Sequence, residues 1–467
     1  MTKYGHILYA RGVLVGRGDS PKVPAHWNTI SFGNWNFWHD PVAMVGCTET
    51  VLIHGHCIDP TEETSDLQHI AERVASTQGT RRQNLIDSLA GRFVILQREH
   101  DYLEIQADAV GLRSVYYTEI AHEFWAGSHE HLVAIQVNAP RNYFAGGFLS
   151  ENRMNAYPGR ATGYLAVSCL LANSSLESNT RATSRIFPRS PFEPTSSEDA
   201  ATTIIESVDA QLRALPESIP LLTSLTAGMD SRISLALLRD ISDRIKFFTY
   251  ELTYKKPNAA SRHDRKMAQT LASDLGLRHE MLEIHEPSTD RAFVMTMLKN
   301  SSFPHSRAVA RAYYEMAPEN ALHIRSNTYE LGRDGSFRIQ DVDTSVLNPK
   351  VMRHLASKGQ SEDPAALDSF AEYMAASKFG DIEEYGYDPV DLFYWDYRLA
   401  QWLAHVVLES DIAMDTHILI NSRSVLRSLI SVPLAERMAG VPYLAVISRK
   451  WPELLDYDVN GRAVNLT

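Results

Sequence analysis

The chain has 467 residues, enough for two or three domains, and its 44% apolar and 22% charged make-up is ordinary for a globular protein. A net charge of −12 argues against broad nucleic-acid binding, which calls for a basic surface. No run approaches the roughly 18 apolar residues of a membrane span, Met1-Thr2-Lys3-Tyr4-Gly5-His6 has no signal-peptide core, and Cys47, Cys57 and Cys169 are too few and scattered for a disulfide framework. A cytoplasmic enzyme without nucleic-acid or membrane partners is the expectation.

The N-terminal part reads as short strands, at residues 6–15, 50–53, 92–96, 102–107 and 114–118. Val94 and Leu96, then Leu103 and Ile105, alternate with other residues as half-buried strands require. His54-Gly55-His56-Cys57 has metal-like residue types. On a strand, however, His54 and His56 share a face that Cys57 does not, and no further ligand pair follows at suitable spacing. A Pro-, Ser- and Glu-rich stretch over residues 188–199 reads as a linker between a first domain (1–187) and a second (200–467). A helix over residues 200–215 carries Ile204, Ile205, Val208 and Leu212 on one stripe. Strand 220–225, helix 232–239, strand 245–250, helix 261–275 with Gly276 as its C-cap, and strand 281–284 follow in alternation. That alternation predicts a parallel sheet covered on both faces, with a site at the C-terminal ends of its strands. Beyond Ala366 the chain reads as mostly helical.

Between strand 220–225 and its helix lies Thr226-Ala227-Gly228-Met229-Asp230-Ser231. A turn of small residues opening a helix directs free N–H groups at one spot, at the positive end of the helix dipole, and phosphate binds well there. Asp230 beside it would repel phosphate unless a cation such as Mg²⁺ lay between them. No Gly-Lys-Ser/Thr follows, so this is not the Walker pattern.

Thr226 to Ser231 resembles the Ser-Gly-Gly-x-Asp-Ser pyrophosphate loop of the asparagine synthetase family, with Thr226 for the Ser and Ala227 for the first Gly. Upstream, Gly91-Arg92-Phe93 and Asp108-Ala109-Val110-Gly111-Leu112-Arg113-Ser114-Val115-Tyr116-Tyr117 resemble that family's glutaminase-type domain, in the same order and at about the same spacing. The resemblance implies an N-terminal αββα sandwich of the Ntn-hydrolase type. It implies a C-terminal parallel-sheet domain of the adenine-nucleotide α-hydrolase-like kind, with a helical C-terminal part. The glutaminase nucleophile of the family is an N-terminal Cys. Here the second residue is Thr2, an N-terminal nucleophile in other settings but more simply an ordinary terminal residue, so glutaminase activity is expected to be absent.

The activity so implied is adenylation of a substrate carboxylate by ATP, with release of pyrophosphate and then AMP, and capture by an amine that glutamine does not supply, as in the β-lactam synthetases. ATP and Mg²⁺ are the expected cofactors. A small molecule or peptide carrying a carboxylate and an amine is the expected substrate, and a homodimer is compatible with the reading. By the resemblance, Ser224, Thr226, Gly228 and Ser231 would hold pyrophosphate, Asp230 would hold Mg²⁺, and Phe248 and Thr249 would line the adenine pocket. Asp264 and Arg265 either approach the nucleotide or form a solvated helix face.

The second family motif, Gly-x-Gly-x-Asp-Glu-x-x-Gly, is altered here to Ser326-Asn327-Thr328-Tyr329-Glu330-Leu331-Gly332-Arg333-Asp334. Glu330 matches either its metal-binding Asp or the following Glu, and is taken as the second Mg²⁺ ligand and a catalytic group. Arg325 and Arg333 would meet phosphate or a substrate carboxylate, or else form surface ion pairs. Asp396, in an aromatic-rich helix, lies near where amide-closing members carry a catalytic carboxylate. The family's terminal catalytic Lys is matched by Lys450 only in a shifted register, because Lys450 falls within a helix; Arg462 is an alternative cation there. Two further readings stay open: another pyrophosphate-loop enzyme, and a homologue that binds nucleotide without catalysis.

Overall fold

In the computed structural model, which describes residues 3–18, 20–120, 123–142, 156–302, 306–333, 342–357 and 364–461, the first half of the chain builds two antiparallel sheets of six strands each. The strands are β1 (Val13–Gly16), β2 (Asn28–Phe32), β3 (Trp35–His39), β4 (Val45–Cys47), β5 (Val51–Ile58), β6 (Ala90–Glu99), β7 (Tyr102–Ala107), β8 (Val115–Thr118), β9 (Trp125–Gly127), β10 (Val167–Leu170), β11 (Ser174–Glu177) and β12 (Thr183–Arg185). They pair in the orders β10-β8-β9-β1-β3-β2 and β12-β11-β7-β6-β5-β4.

Alternation along β6 shows why the sheets stack. Val94 and Leu96 join Leu103, Ile105 and the first sheet's Val13, Val15 and Phe37 in one core. Phe93 and Ile95, on the opposite face, pack with Ile70 and Val74 of the helix Leu67–Ser76. Each such fully buried side chain contributes about 1.5–3 kcal/mol. That helix lies so close to β4 that a Cβ at Gly46 would stand 2.0 Å from the Leu67 carbonyl oxygen, so only glycine fits there. The helix Glu130–Gln136 packs on the first sheet with Leu132 and Val133. Residues 6–15, expected as one strand, are not: Gly5–Ile7 is a 3₁₀ turn, and Tyr9 and Arg11 at φ +54° and +53° break the extended run before β1. Thr2 lies outside the described residues.

The second half contains a five-stranded parallel sheet of β13 (Leu221–Ser224), β14 (Ile245–Leu252), β15 (His279–Ile284), β16 (Leu322–Ile324) and β17 (Asp415–His417), in the order β15-β14-β13-β16-β17. The helix Ser197–Ala214 precedes it, capped by the Ser196 hydroxyl accepting from the Asp199 N–H. The helix Met229–Leu237 follows β13. The helix Ala259–Leu275 joins β14 to β15 and ends at Gly276 in the left-handed conformation, φ +66°. Beyond Ala366 the chain is mostly helical, with a π-helical stretch at Tyr394–Leu403 and the unexpected strand β17 added to the sheet. The protein is thus a mixed α/β fold with a parallel sheet. Among the described residues, no helix is long and apolar enough to cross a membrane.

The two halves meet through buried ion pairs. Arg92 of β6 grips Asp411 with both terminal nitrogens, and Arg113 lies 3.3 Å from both carboxylate oxygens of Asp415. Asp108 accepts from the backbone N–H groups of Leu112 and Arg113 and from the Asn421 amide. Gly91-Arg92-Phe93 and Asp108 to Arg113 therefore lie at the junction. His56 of the His54-Gly55-His56-Cys57 run contacts His417 at 3.2 Å, and all four residues are buried.

Candidate active site

Strand order decides where a ligand fits. The chain runs outward from β13 through β14 to β15, then crosses back to β16 on the other side of β13, so the topology switches between β13 and β16. Open α/β sheets hold ligands at that crevice, beyond the carboxyl ends of the strands. A cavity of about 500 Å³ lies there, lined by Ser224, Thr226, Gly228, Asp230, Ser231, Ser326, Arg333 and Asn460, with Met229, Met438, Ala439 and Gly440 at its walls.

The loop itself is tightly tied. The Thr226 N–H donates to Ser231 Oγ (3.0 Å), the Gly228 N–H to Thr226 Oγ1 (3.2 Å) and the Ala227 N–H to Asp264 Oδ1 (3.0 Å). These bonds set the loop's shape and leave the start of the helix at Met229, which no side chain caps, as the open N–H cluster. Arg232 is buried and donates to the carbonyls of Leu454, Tyr457 and Asp458. It thereby brings Asn460 to the cavity, where its N–H donates to Ala227 O at 3.1 Å.

Opposite the loop stands the short 3₁₀ turn Tyr329–Gly332. Tyr443 OH donates to Tyr329 O (3.0 Å) and Arg437 to Leu331 O (3.0 Å), which fixes the turn. Thr328, just before it, has φ +73°, a strained value for a β-branched residue. Arg333 forms a two-pronged ion pair with Asp230, Nε to Oδ1 and Nη2 to Oδ2, each 2.9 Å. Burial and the nearby Asp230 charge hold the Glu330 carboxyl above the usual carboxylate range, against the pull of Arg333 and Arg398. Glu330 Oε2 and Ser326 Oγ are buried with no hydrogen-bond partner among the described residues. Unsatisfied polar atoms of this kind mark places where a ligand can complete the bonding.

Ser224, Thr226, Gly228, Asp230, Ser231 and Arg333 therefore come together at the cavity; Glu330 does not line it, though its carboxyl is near enough to Asp230 to feel that charge. Several other expected residues lie elsewhere. Phe248 is fully buried against Tyr250, Tyr313 and His323. Thr249 spends its hydroxyl on Leu225 O (2.6 Å) and His279 (2.9 Å), so neither side chain lines the cavity. Arg325 turns to Asn327 and Ser410. Asp396, buried, is held by Asn173 (2.9 Å), Arg185 (2.8 Å) and Tyr373 (3.2 Å), a junction between the two halves rather than a group facing the cavity. Lys450 ends the helix Val441–Lys450 and pairs with Asp209 (2.9 Å) and Asp240 (2.7 Å); Asp240 follows the C-terminal end of the helix whose N-terminus forms the site. Asp334 and Arg462 lie outside the described residues. Met438 and Asn460 were not foreseen, each lying far from the loop in sequence, and Ser326, though it opens the altered second motif, was given no role there. Lys450→Met is expected to cost no more than about 1 kcal/mol, as for a partly exposed ion pair; urea melts check it.

Among the described residues no three His, Cys, Asp or Glu side chains gather as a metal site. The donor set at the cavity is the paired carboxylate of Asp230, with the half-buried Glu330 nearby. That set fits a magnesium ion only if phosphate oxygens complete the coordination, as is usual for nucleotide-bound Mg²⁺.

No protein-family model matches the sequence, and no curated protein matches it. In shape the chain is similar to parts of several solved structures. One is the glutamine-dependent NAD⁺ synthetase from Acinetobacter baumannii in complex with ADP, at 16% identity over 33% of this chain and 28% of that chain, TM-score 0.19. Another is the NH₃-dependent NAD synthetase from Campylobacter jejuni, at 14% identity over 40% of this chain and 97% of that one, TM-score 0.22. A third is the glutamine phosphoribosylpyrophosphate amidotransferase from B. subtilis, at 11% identity over 72% and 74%, TM-score 0.25. The match thus spans 28% of the first of these. At such scores the likeness carries no inference about activity.

Proposed function

We propose that the chain is an ATP-dependent amide-forming ligase that adenylates a carboxylate, releases pyrophosphate and joins the acyl group to an amine that glutamine does not supply. The observation that carries this reading is the donor-lined cavity at the switch point between β13 and β16, where the loop, the helix start and Arg333 converge. A carboxylate oxygen is a poor leaving group, and transfer to the α-phosphate of ATP makes it a good one. The protein's task is then to hold the triphosphate in line and neutralise the departing pyrophosphate. The hydroxyls of Ser224, Thr226, Ser231 and Ser326 and the N–H groups at the start of the helix Met229–Leu237 are the donors for that role, and Arg333 brings positive charge. Asp230 and Glu330 are the residues that would hold a magnesium ion, which when bound would supply further neutralisation of the phosphates.

The substrate class in this reading is a small molecule or peptide bearing a carboxylate and an amine. The test is exchange of radiolabelled pyrophosphate into ATP in the presence of Mg²⁺ and candidate carboxylates, together with calorimetric titration of ATP. Exchange that depends on the carboxylate is the expected result; no ATP binding with Mg²⁺ sinks the reading. A nucleotide-binding protein without chemistry is the second reading, favoured by the placement of Asp396 and Lys450 away from the cavity. It gives ATP binding with no exchange for any carboxylate.

A further inference from the structure

The cavity that would take a magnesium polyphosphate already contains a cation. Arg333 meets Asp230 edge-on through two parallel hydrogen bonds of 2.9 Å. Both side chains line the cavity and remain partly exposed, 25% for Arg333 and 22% for Asp230. A carboxylate bound in this way presents both oxygens to the guanidinium, so a metal ion arriving alone must displace a full positive charge and two charge-assisted hydrogen bonds. The remaining polar wall consists largely of donors: the hydroxyls of Ser224, Thr226, Ser231 and Ser326 and the uncapped helix start. Those groups recognise phosphate oxygens and offer a bare divalent cation little.

A polyphosphate with its metal changes the balance on both sides at once. The planar guanidinium pairs with phosphate as well as with carboxylate, and the metal replaces it on Asp230. We infer that Arg333 is an exchangeable counter-ion: in the ligand-free protein it occupies Asp230 as a divalent cation would, and it passes to phosphate when metal and polyphosphate arrive together. The inference rests on the nucleotide reading of this cavity and adds a rule of binding to it. Metal and polyphosphate become strongly coupled ligands, each raising the affinity for the other by the same factor.

Mn²⁺ and inorganic pyrophosphate are the probes, used with the full chain in equilibrium dialysis, so that only metal retained by the protein over the same mixture outside is counted. Wild type should retain little Mn²⁺ alone and much more once pyrophosphate is added. Arg333→Gln should bind Mn²⁺ alone at least about tenfold more tightly, a difference of some 1.4 kcal/mol, while binding Mn²⁺–pyrophosphate more weakly than wild type. Those opposite shifts are what a merely structural ion pair does not produce. Arg333→Lys, with the charge but not the fork, should fall between. Adding Asp230→Asn to Arg333→Gln should abolish the Mn²⁺ binding, and thermal melts confirm that each variant is folded. The exchange is overturned if wild type binds Mn²⁺ alone as tightly as Arg333→Gln, or if both affinities move in the same direction. If neither protein binds Mn²⁺ with pyrophosphate present, the nucleotide reading falls as well, an outcome distinct from failure of the exchange alone.

Discussion

Replacing Arg92 by alanine is expected to destabilise the whole chain by about 3–5 kcal/mol, the usual cost of breaking a buried ion pair from one side. Arg92 is wholly buried, donates from Nε to Leu112 O (3.0 Å) and grips Asp411, itself buried, with both terminal nitrogens. Without it, among the described residues Asp411 keeps only Arg113, at 3.7 Å, while Arg113 is already engaged with Asp415 and with Arg11 O (3.0 Å). A carboxylate left so poorly paired in a buried interface carries most of its desolvation cost uncompensated. The change should appear as a lower urea midpoint with little change of slope. The double variant Arg92→Met with Asp411→Leu should recover much of the loss, since replacing both charges by apolar groups is often neutral or favourable. A single-variant loss below about 1 kcal/mol would mean that water reaches the pair and the halves are held together by other contacts.

That role gives Gly91 to Phe93 and Asp108 to Arg113 a structural task at the junction of the two halves. Gly91-Arg92-Phe93 and Asp108 to Arg113 were legible as a resemblance, but their partners were not. Asp411, Asp415 and Asn421 lie about 300 residues away along the chain, and no local pattern marks them. The loop Thr226–Ser231 was legible as a strand-to-helix turn because its signal is local: an apolar run, small residues, an acid, then a helical stripe. The strands β13, β14 and β15 were legible for the same reason, with ends shifted by a few residues. β17 was not, because Asp415-Thr416-His417 has no strand composition; pairing with β16 and the contact with Arg113 make it a strand. The order of the sheet, and with it the switch point that locates the cavity, depends on crossovers that periodicity does not encode.

Side-chain direction was the other hidden variable. Phe248 and Thr249 sit on the strand beside the loop, as expected, but the pleat and the neighbours Tyr313 and His279 turn both side chains into the core. Asp396 is on the aromatic helix, as expected, and faces Arg185. Lys450 was legible as a helical residue; its pairing with Asp209 and Asp240 shows what it does there. The Arg333–Asp230 pair joins the loop after β13 to the turn after β16, and sequence alone left Arg333 open between a ligand contact and an ion pair.

Glu130 should take stability away from the fold as pH rises from 4.5 to about 7. It opens the helix Glu130–Gln136, is 3% exposed, and accepts one hydrogen bond, from the Gly163 N–H to Oε2 at 2.9 Å; Oε1 has no partner among the described residues. Burial pushes its carboxyl from 4.5 up to about 7, against the smaller opposing effects of that N–H and of Arg141. The titratable groups around it are Tyr116, Tyr157, Tyr164 and Cys169, each pushed up by burial and therefore neutral in this range. Below pH 4.5 the acid is protonated in both folded and unfolded chains and costs nothing. Between 4.5 and about 7 the unfolded chain ionises while the folded one does not, so folding loses 1.36 kcal/mol per pH unit, about 3 kcal/mol in all. Glu130→Gln keeps an oxygen for the Gly163 N–H and removes the proton. It should match wild type near pH 4 and exceed it by roughly 3 kcal/mol near pH 8. The neutral buried His129, His323 and His417 titrate with the opposite sign, but they are common to both proteins and cancel in the difference. Urea unfolding of the pair across this range reads that difference directly. A difference that does not change with pH would show that water or an unseen partner keeps Glu130 ionised in the fold.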